Sequence, residues 1–411
     1  MTEGKPSSLD RVVFILSVFL LSCFMIFEKY TWGKYAFFLA GGLIFVLDAL
    51  SQGKKFYIKI GSFQICFFAF VAFCFLSSIW ALSRANAIEW SKSLISNWVC
   101  MSLIYTYYSR KKDISMLLTV IMWSGSLIAI YTIWFYGLDV LFASSLTQYV
   151  RLGNDYSNIN TIGMFCAFAI LIQIERLMYD RKLRISIIFV IPSLIVVAAT
   201  QSRKAVLLIV IGTIIIAVMK STNRKKAIKT LGKYILIFMT VVVVLLVLSK
   251  ITIFSGVSER LNQLLSVITG SGQIDSGTIN RQNYIDLGIK TWLQNPIGGV
   301  GVNCPRIINQ RVYGEYVYLH NNYVELLCGV GTIGFLFYYF MYYYVVKYLV
   351  RYKKANRRYY IIGITWVILL LIMDYGMVSY YSKLQCFYFM TLFLNIECMK
   401  KMYYGQLVGG I

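Results

Sequence analysis

An all-α integral membrane protein is the fold class this sequence predicts, and three observations carry it. The 411 residues are 59% hydrophobic and only 14% charged, with a mean hydropathy of +0.68, whereas soluble domains run at about 45–50% apolar and 25% charged. Apolar stretches recur that can each cross a hydrocarbon core of about 30 Å, which takes about 20 residues. Short basic or turn-rich breaks separate them, apart from one long polar segment late in the chain.

Taking those breaks as ends gives about twelve spans, near 12–28, 33–51, 60–82, 93–109, 114–137, 158–179, 185–200, 204–220, 232–254, 322–347, 359–380 and 383–399. The first is apolar over Val12 to Phe27 with no small-residue cleavage site after it, so it reads as a span and not as a removable signal. The seventh and eighth are short and should meet in a tight hairpin at Gln201 and Ser202. Of 40 Lys and Arg, 26 fall at the N-terminus, in the even-numbered connections and after the last span. Positive charge concentrates on the cytoplasmic side, so both termini are expected in the cytoplasm and the odd connections outside. These include the hairpin and the segment from Ser255 to Asn321.

The net charge of +23 is therefore mainly topological, and no nucleic-acid partner is needed to explain it. His320 is the one histidine, which excludes a multi-histidine metal site and leaves room for a single working imidazole. Nine cysteines without a CxxC pair read as small core hydrophobes. Only Cys304 lies in a long polar segment, where Cys328 would be its nearest plausible partner. In organisation, residues 1–199 read as N-terminal membrane helices, 200–335 as the region carrying chemistry with its outer loop at about 255–321, and 336–411 as C-terminal membrane helices.

Three features converge on the outer face. The hairpin Thr200-Gln201-Ser202-Arg203-Lys204-Ala205 places two cations on the side that topology keeps poor in positive charge. An arginine at a membrane edge can snorkel to headgroups, or grip a phosphate with its planar fork. Next come Ser276-Gly277-Thr278-Ile279-Asn280-Arg281, ahead of a short amphipathic helix of about ten residues ended by Asn295-Pro296. Here Arg281 is either a solvated helix-start residue or a ligand contact. The glycines of Asn295-Pro296-Ile297-Gly298-Gly299-Val300-Gly301 make a turn, or let backbone approach a ligand closely.

Last is Leu319-His320-Asn321-Asn322-Tyr323-Val324-Glu325, where the chain re-enters the membrane. Asn322 with Glu325 three residues on has capping-box spacing, so Glu325 has a structural reading. His320 does not. A helix start favours an anionic ligand, and its positive end favours the neutral, proton-accepting imidazole. Tyr313, Tyr316, Tyr318 and Tyr323 could stack on sugars, although tyrosine is also common at membrane interfaces. Asp374, an intramembrane acid, is a functional candidate by default and could pair with an arginine of the site.

The order SRKA in an outer hairpin, an arginine in a large outer loop, NPIGGVG, then HNNYVELLCGVGTIGF opening a late span resembles the O-antigen ligase and polymerase superfamily. Arg151-Leu152-Gly153 with Asn158-Ile159-Asn160 resembles a weaker element of it. The resemblance implies a GT-C-like glycosyltransferase in the cytoplasmic membrane with an extracytoplasmic active site. It would carry out metal-independent, inverting transfer from an undecaprenyl-diphosphate glycan to a sugar hydroxyl, with no cofactor. Arg203 and Arg281 would hold the diphosphate, His320 would take the acceptor proton, and Arg151, Asn160, Lys204, Asn321 and Glu325 would contact substrate. Lys204 stands where relatives often carry a small residue. The implied partners are the lipid-linked donor and acceptor, membrane lipid and a chain-length regulator protein. A polymerase of polysaccharide repeat units is favoured over a ligase to another acceptor. A flippase for lipid-linked oligosaccharides is the rival class, although it would place its polar residues nearer the bilayer midplane.

The orientation is directly testable. A cysteine placed at Gln273 should react with a membrane-impermeant thiol reagent in intact cells, and one placed at Lys225 only after permeabilisation. The reverse pattern would overturn the orientation and the outer-face site with it.

Overall fold

In the computed structural model, residues 7–27, 30–53, 56–111, 114–141, 152, 155–180, 186–221, 223, 225–233 and 276–408 are described. Their regular structure is helical: α1 (Ser8–Ile26), α2 (Thr31–Ser51), α3 (Ser62–Leu76), α4 (Arg84–Tyr108), α5 (Ser115–Tyr136), α6 (Ile159–Asp180), α7 (Ser186–Ala199), α8 (Arg203–Lys220), α9 (Ser276–Gln294), α10 (Pro305–Tyr313), α11 (Asn322–Arg351), α12 (Arg357–Gly376) and α13 (Lys383–Val408). Six stretches among the described residues are long and apolar enough to cross a membrane: α1, Ser62–Ile79, α5, α6, α11 and α12. The chain is thus a multi-pass membrane protein. The expected span at 232–254 lies almost wholly outside the described residues.

The chain divides into two compact units, Met1–Ile44 with Ser115–Gln273, and Phe45–Ile114 with Ile274–Ile411. In the first, α5 and α6 pack on each other, α1 packs on α5, α7 on both α5 and α6, and α8 on α6. Close approach here depends on small residues: a Cβ on Gly125 would meet Ala169 Cβ at 2.4 Å, and one on Gly163 would meet Thr200 Oγ1 at 2.7 Å. In the second unit α11 packs against α3, α9, α12 and α13, and α4 packs against α3 and α13.

The glycine run finds its partner in the second unit. Helix α11 is interrupted at Gly331, whose φ of 65° and ψ of −173° are not helical and suit glycine almost alone. A broken helix leaves backbone groups without intrahelical partners, and the turn from Pro296 to Gly301 supplies them. Val300 N–H donates to Cys328 O (2.9 Å), Gly301 N–H to Gly329 O (2.7 Å), and Thr332 N–H to Pro296 O (2.8 Å). A Cβ on Gly331 would sit 2.2 Å from Ile297 O, and one on Gly299 2.5 Å from Gly331 N. These glycines therefore admit a second backbone, not a ligand.

Other expectations change as well. The amphipathic helix is 19 residues long and takes in Ser276 to Arg281, because the polar turns ahead of Tyr284 continue helically, with Gln282 donating to Asp286 one turn on (2.9 Å). The cysteine reading, by contrast, holds: all nine, Cys304 and Cys328 included, are free thiols.

Gly331→Ala should lower the melting temperature of the detergent-purified protein, since it adds a clash to a conformation costing about 1–3 kcal/mol. Gly42, with no atom within 4 Å of an added Cβ, should accept alanine without loss. Equal melting temperatures for the two variants would refute the inserted-turn explanation.

Candidate functional site

Helix α9 enters the second unit against the segment leading to α11. Gly288 makes the approach close, since its Cβ would meet Leu319 Cδ1 at 2.5 Å and Val324 Cγ1 at 2.7 Å. Tyr284, Leu319, Val324 and Cys328 form a buried apolar cluster there. The Tyr284 hydroxyl donates to Glu315 Oε2 at 2.6 Å, and that hydrogen bond, with burial, pushes its pKa up to about 12. Arg281 is exposed one turn before Tyr284, on the same side of the helix.

His320 sits in a left-handed backbone conformation, φ 56°, which histidine adopts more readily than most residues. Its partly exposed ring lies 4.4 Å from that of Tyr318 and, nearly parallel, 6.1 Å from that of Tyr284. The turn is held from the helix that follows. Asn321 is the N-cap and accepts Val324 N–H at 3.1 Å. Glu325 is 1% exposed and accepts Leu319 N–H through Oε2 at 2.8 Å, while Oε1 is buried without a hydrogen-bond partner. The expected capping box of Asn322 with Glu325 is corrected by one residue: the cap is Asn321, and the carboxylate reaches past it to the residue before His320.

Asn322, fully buried, does something else. Its Oδ1 accepts the N–H groups of Ser379 (2.9 Å) and Tyr380 (3.1 Å), and its Nδ2 donates to the Tyr339 hydroxyl at 3.2 Å. This fixes the connection between α12 and α13 beside the mouth of α11. Asp374 is part of the same network, accepting from the hydroxyls of Tyr339 (3.1 Å) and Tyr342 (3.2 Å) and from Ser379. Among the described residues it forms no ion pair with an arginine, because hydroxyls fill its coordination.

Sequence reasoning did not single out Arg306. Pro305 occupies the first position of α10, where a missing N–H costs nothing, and Arg306 follows it. Its Nη2 donates to the Tyr381 hydroxyl at 3.1 Å. Its guanidinium lies over Trp90, Tyr318 and Tyr381, at 4.9, 5.3 and 5.6 Å from the ring centroids. Burial raises the Tyr318 hydroxyl above the ordinary phenol range, and the charges of Arg306 and Arg281 act against that rise. The only sequence signal was one more basic residue in the long outer segment, and Arg311 shares it.

Within the second unit the structure thus gathers Arg281, Tyr318, His320, Asn321 and Glu325, and adds Arg306. Asn160, Arg203 and Lys204 belong to the first unit. There the hairpin forms as expected: Gln201 takes a φ of 54°, and Ser202 caps α8 by accepting Ala205 N–H at 3.4 Å. Arg203 is exposed and Lys204 half-buried at the first turn. Asn160 opens α6, its N–H held by Asn158 Oδ1 at 3.0 Å. Arg151 lies outside the described residues.

The role of Glu325 separates by substitution. Glu325→Gln keeps an acceptor for Leu319 N–H and should unfold close to wild type, whereas Glu325→Ala leaves that buried donor unpaired, at a cost of about 1–3 kcal/mol. Thermal unfolding of both variants measures the difference, and equal stability would show that the Leu319 contact carries no weight.

No curated protein matches the chain. Residues 187–339 match the family model described as O-Antigen ligase, a segment that holds the hairpin with Arg203, the turn with its glycines, Arg306, and the His320 turn with the start of α11. Over that segment the chain is similar to the O-antigen ligase family.

Proposed function

We propose that this protein is a bacterial polysaccharide polymerase of the cytoplasmic membrane. It would transfer a glycan from an undecaprenyl-diphosphate carrier to a sugar hydroxyl of a lipid-linked repeat unit. The observation that carries the reading is the setting of the one histidine. Its turn is fixed from both sides by Asn321 and Glu325, its ring is lined by tyrosines, and an exposed arginine lies one helical turn from the tyrosine it faces. A base held this rigidly beside a cation suits an acid–base step next to an anionic leaving group.

In the proposed reaction the acceptor hydroxyl attacks the anomeric carbon from the face opposite the diphosphate, and the bond from that carbon to the phosphate oxygen breaks. His320 takes the hydroxyl proton. Arg281 and Arg203 carry the charge that develops on the departing diphosphate, and no metal or cofactor takes part. Diphosphate is already a good leaving group, so most of the rate enhancement comes from preorganised cations at the departing oxygen, and proton transfer adds a factor of about 10²–10⁴. Arg151, Asn160, Lys204, Asn321 and Glu325 line the substrate path, Asn321 and Glu325 acting chiefly through the His320 turn. In this reading residues 200–335 are the catalytic region of a GT-C-like arrangement of about twelve spans. Both termini are cytoplasmic, the site faces outward, and a chain-length regulator is a partner.

Purified protein given a synthetic undecaprenyl-diphosphate repeat unit without added metal should produce a ladder of lengthening glycans. His320→Ala, Arg203→Ala and Arg281→Ala should each lose at least about a hundredfold of that activity at normal protein levels. Wild-type ladders from all three would refute the reading. A single transfer to a different acceptor would mark a ligase, and movement of lipid-linked units across proteoliposomes holding only this protein would mark a flippase.

A further inference from the structure

A guanidinium inside a protein is ordinarily matched by a carboxylate, because an uncompensated charge is costly to remove from water. Arg306 forms no ion pair among the described residues, although the Glu325 carboxylate is near enough to feel its charge. Among the described residues the ion pairs join Lys59 to Glu397 and Arg110 to Asp48. Glu325, the carboxylate of the same site, is engaged with Leu319 N–H. The cation is held instead by the rings of Trp90, Tyr318 and Tyr381, which come from three separate parts of the chain. Aromatic faces attract a cation without cancelling its charge.

The cage also leaves donors unspent. A guanidinium has five N–H groups, and the bond to Tyr381 uses one, from Nη2. Nε is buried without a partner, and the side chain as a whole is only partly buried. The ring of Tyr318 is a neighbour of both Arg306 and His320, so the cage and the histidine turn share one side chain. The cage therefore combines a charge without an ion-pair partner among the described residues, a fixed planar orientation, unused donors and contact with the proposed base through a shared ring. A packing role requires none of the last three.

We propose that Arg306 is a further anion-binding residue of this site, and that the oxyanion it takes belongs to the diphosphate of the lipid-linked donor. The assignment rests on the polymerase reading for the identity of the donor. Arg306 binds the diphosphate in the ground state: the cage fixes the plane of the fork, which presents parallel donors to phosphate oxygens in a way that a lysine ammonium cannot.

The test is direct binding to the full-length protein in nanodiscs, with undecaprenyl diphosphate, undecaprenyl monophosphate and a uronic-acid oligosaccharide as probes. Wild type should prefer the diphosphate. Arg306→Gln should weaken it by about a hundredfold and Arg306→Lys by about tenfold, since a point charge replaces the fork. The melting temperature of Arg306→Lys should stay close to wild type, so the inference remains testable if the glutamine variant fails to fold. Tyr381→Phe, which keeps the ring and loses one hydrogen bond, should cost only a few-fold. Unchanged diphosphate affinity in folded Arg306→Lys or Arg306→Gln would make the cage purely structural and overturn the inference. Loss of uronic-acid binding alone would overturn it too, by moving the anion to the acceptor. If wild type itself fails to bind undecaprenyl diphosphate, the polymerase reading falls first, and that outcome is distinct from one in which wild type binds and the variants bind equally.

Discussion

Two backbones meet where the Pro296–Gly301 turn enters the break in α11, and neither would be stable in that place alone. Inside a membrane helix each unpaired N–H or C=O costs several kcal/mol, so an interruption at Gly331 survives only if other protein groups satisfy it. The turn does this with main-chain hydrogen bonds on both sides of the break, and glycine at 299 and 331 is what lets the two chains come within bonding distance. The turn is secured in its own right by Leu82 N–H, which donates to Val300 O at 2.8 Å, and by the Trp80 indole, which donates to Gly298 O at 3.0 Å.

The candidate site follows from this crossing. Anchoring the turn sets where α9 ends and where Asn303 starts the approach to α10. Asn303 exchanges side-chain and main-chain hydrogen bonds with Asn86 at 3.2 Å, which ties the start of α4 to the same corner and places Trp90 one turn further along. On the other side of the break, the short first part of α11 brings Asn321, Asn322 and Glu325 into one turn. Asn321 and Glu325 shape the backbone around His320, while Asn322 draws in the connection that carries Tyr381. The cage around Arg306 and the turn around His320 are thus two consequences of one crossing, joined through Tyr318.

What the sequence made legible follows the range of the interactions. His320, Asn321 and Glu325 lie within six residues of one another, and their roles depend on a helix start that could be anticipated from the apolar run after it. The one-residue error in the cap arises because the Glu325 side chain is long enough to reach Leu319, and spacing alone does not exclude that. The glycines of NPIGGVG stood out as conformationally special, but their partner is a helix break some thirty residues on, marked only by another glycine. The sequence shows only half of helix α9 because its first turns are polar, and polarity does not stop a helix that packs by its later turns at Tyr284 and Gly288. Arg306 was illegible for the strongest reason: its meaning comes from three rings brought from separate parts of the chain.

Long-range contacts also govern how this chain manages its charge. With 40 basic and 17 acidic residues there are too few carboxylates to pair every cation, and ion pairs near a membrane are costly to desolvate. Aromatic rings are plentiful, and among the described residues Arg110, Lys111, Lys220, Arg306, Lys347 and Arg351 all rest on tyrosine or tryptophan faces. A ring orients a cation and shields it from lipid, yet the charge itself persists. For Lys347 and Arg351, at the far end of α11 from the candidate site, the persisting charge has headgroups and water to meet. At Arg306 the same arrangement shares the Tyr318 ring with the one histidine, and a cation without an ion-pair partner among the described residues can be answered by a ligand.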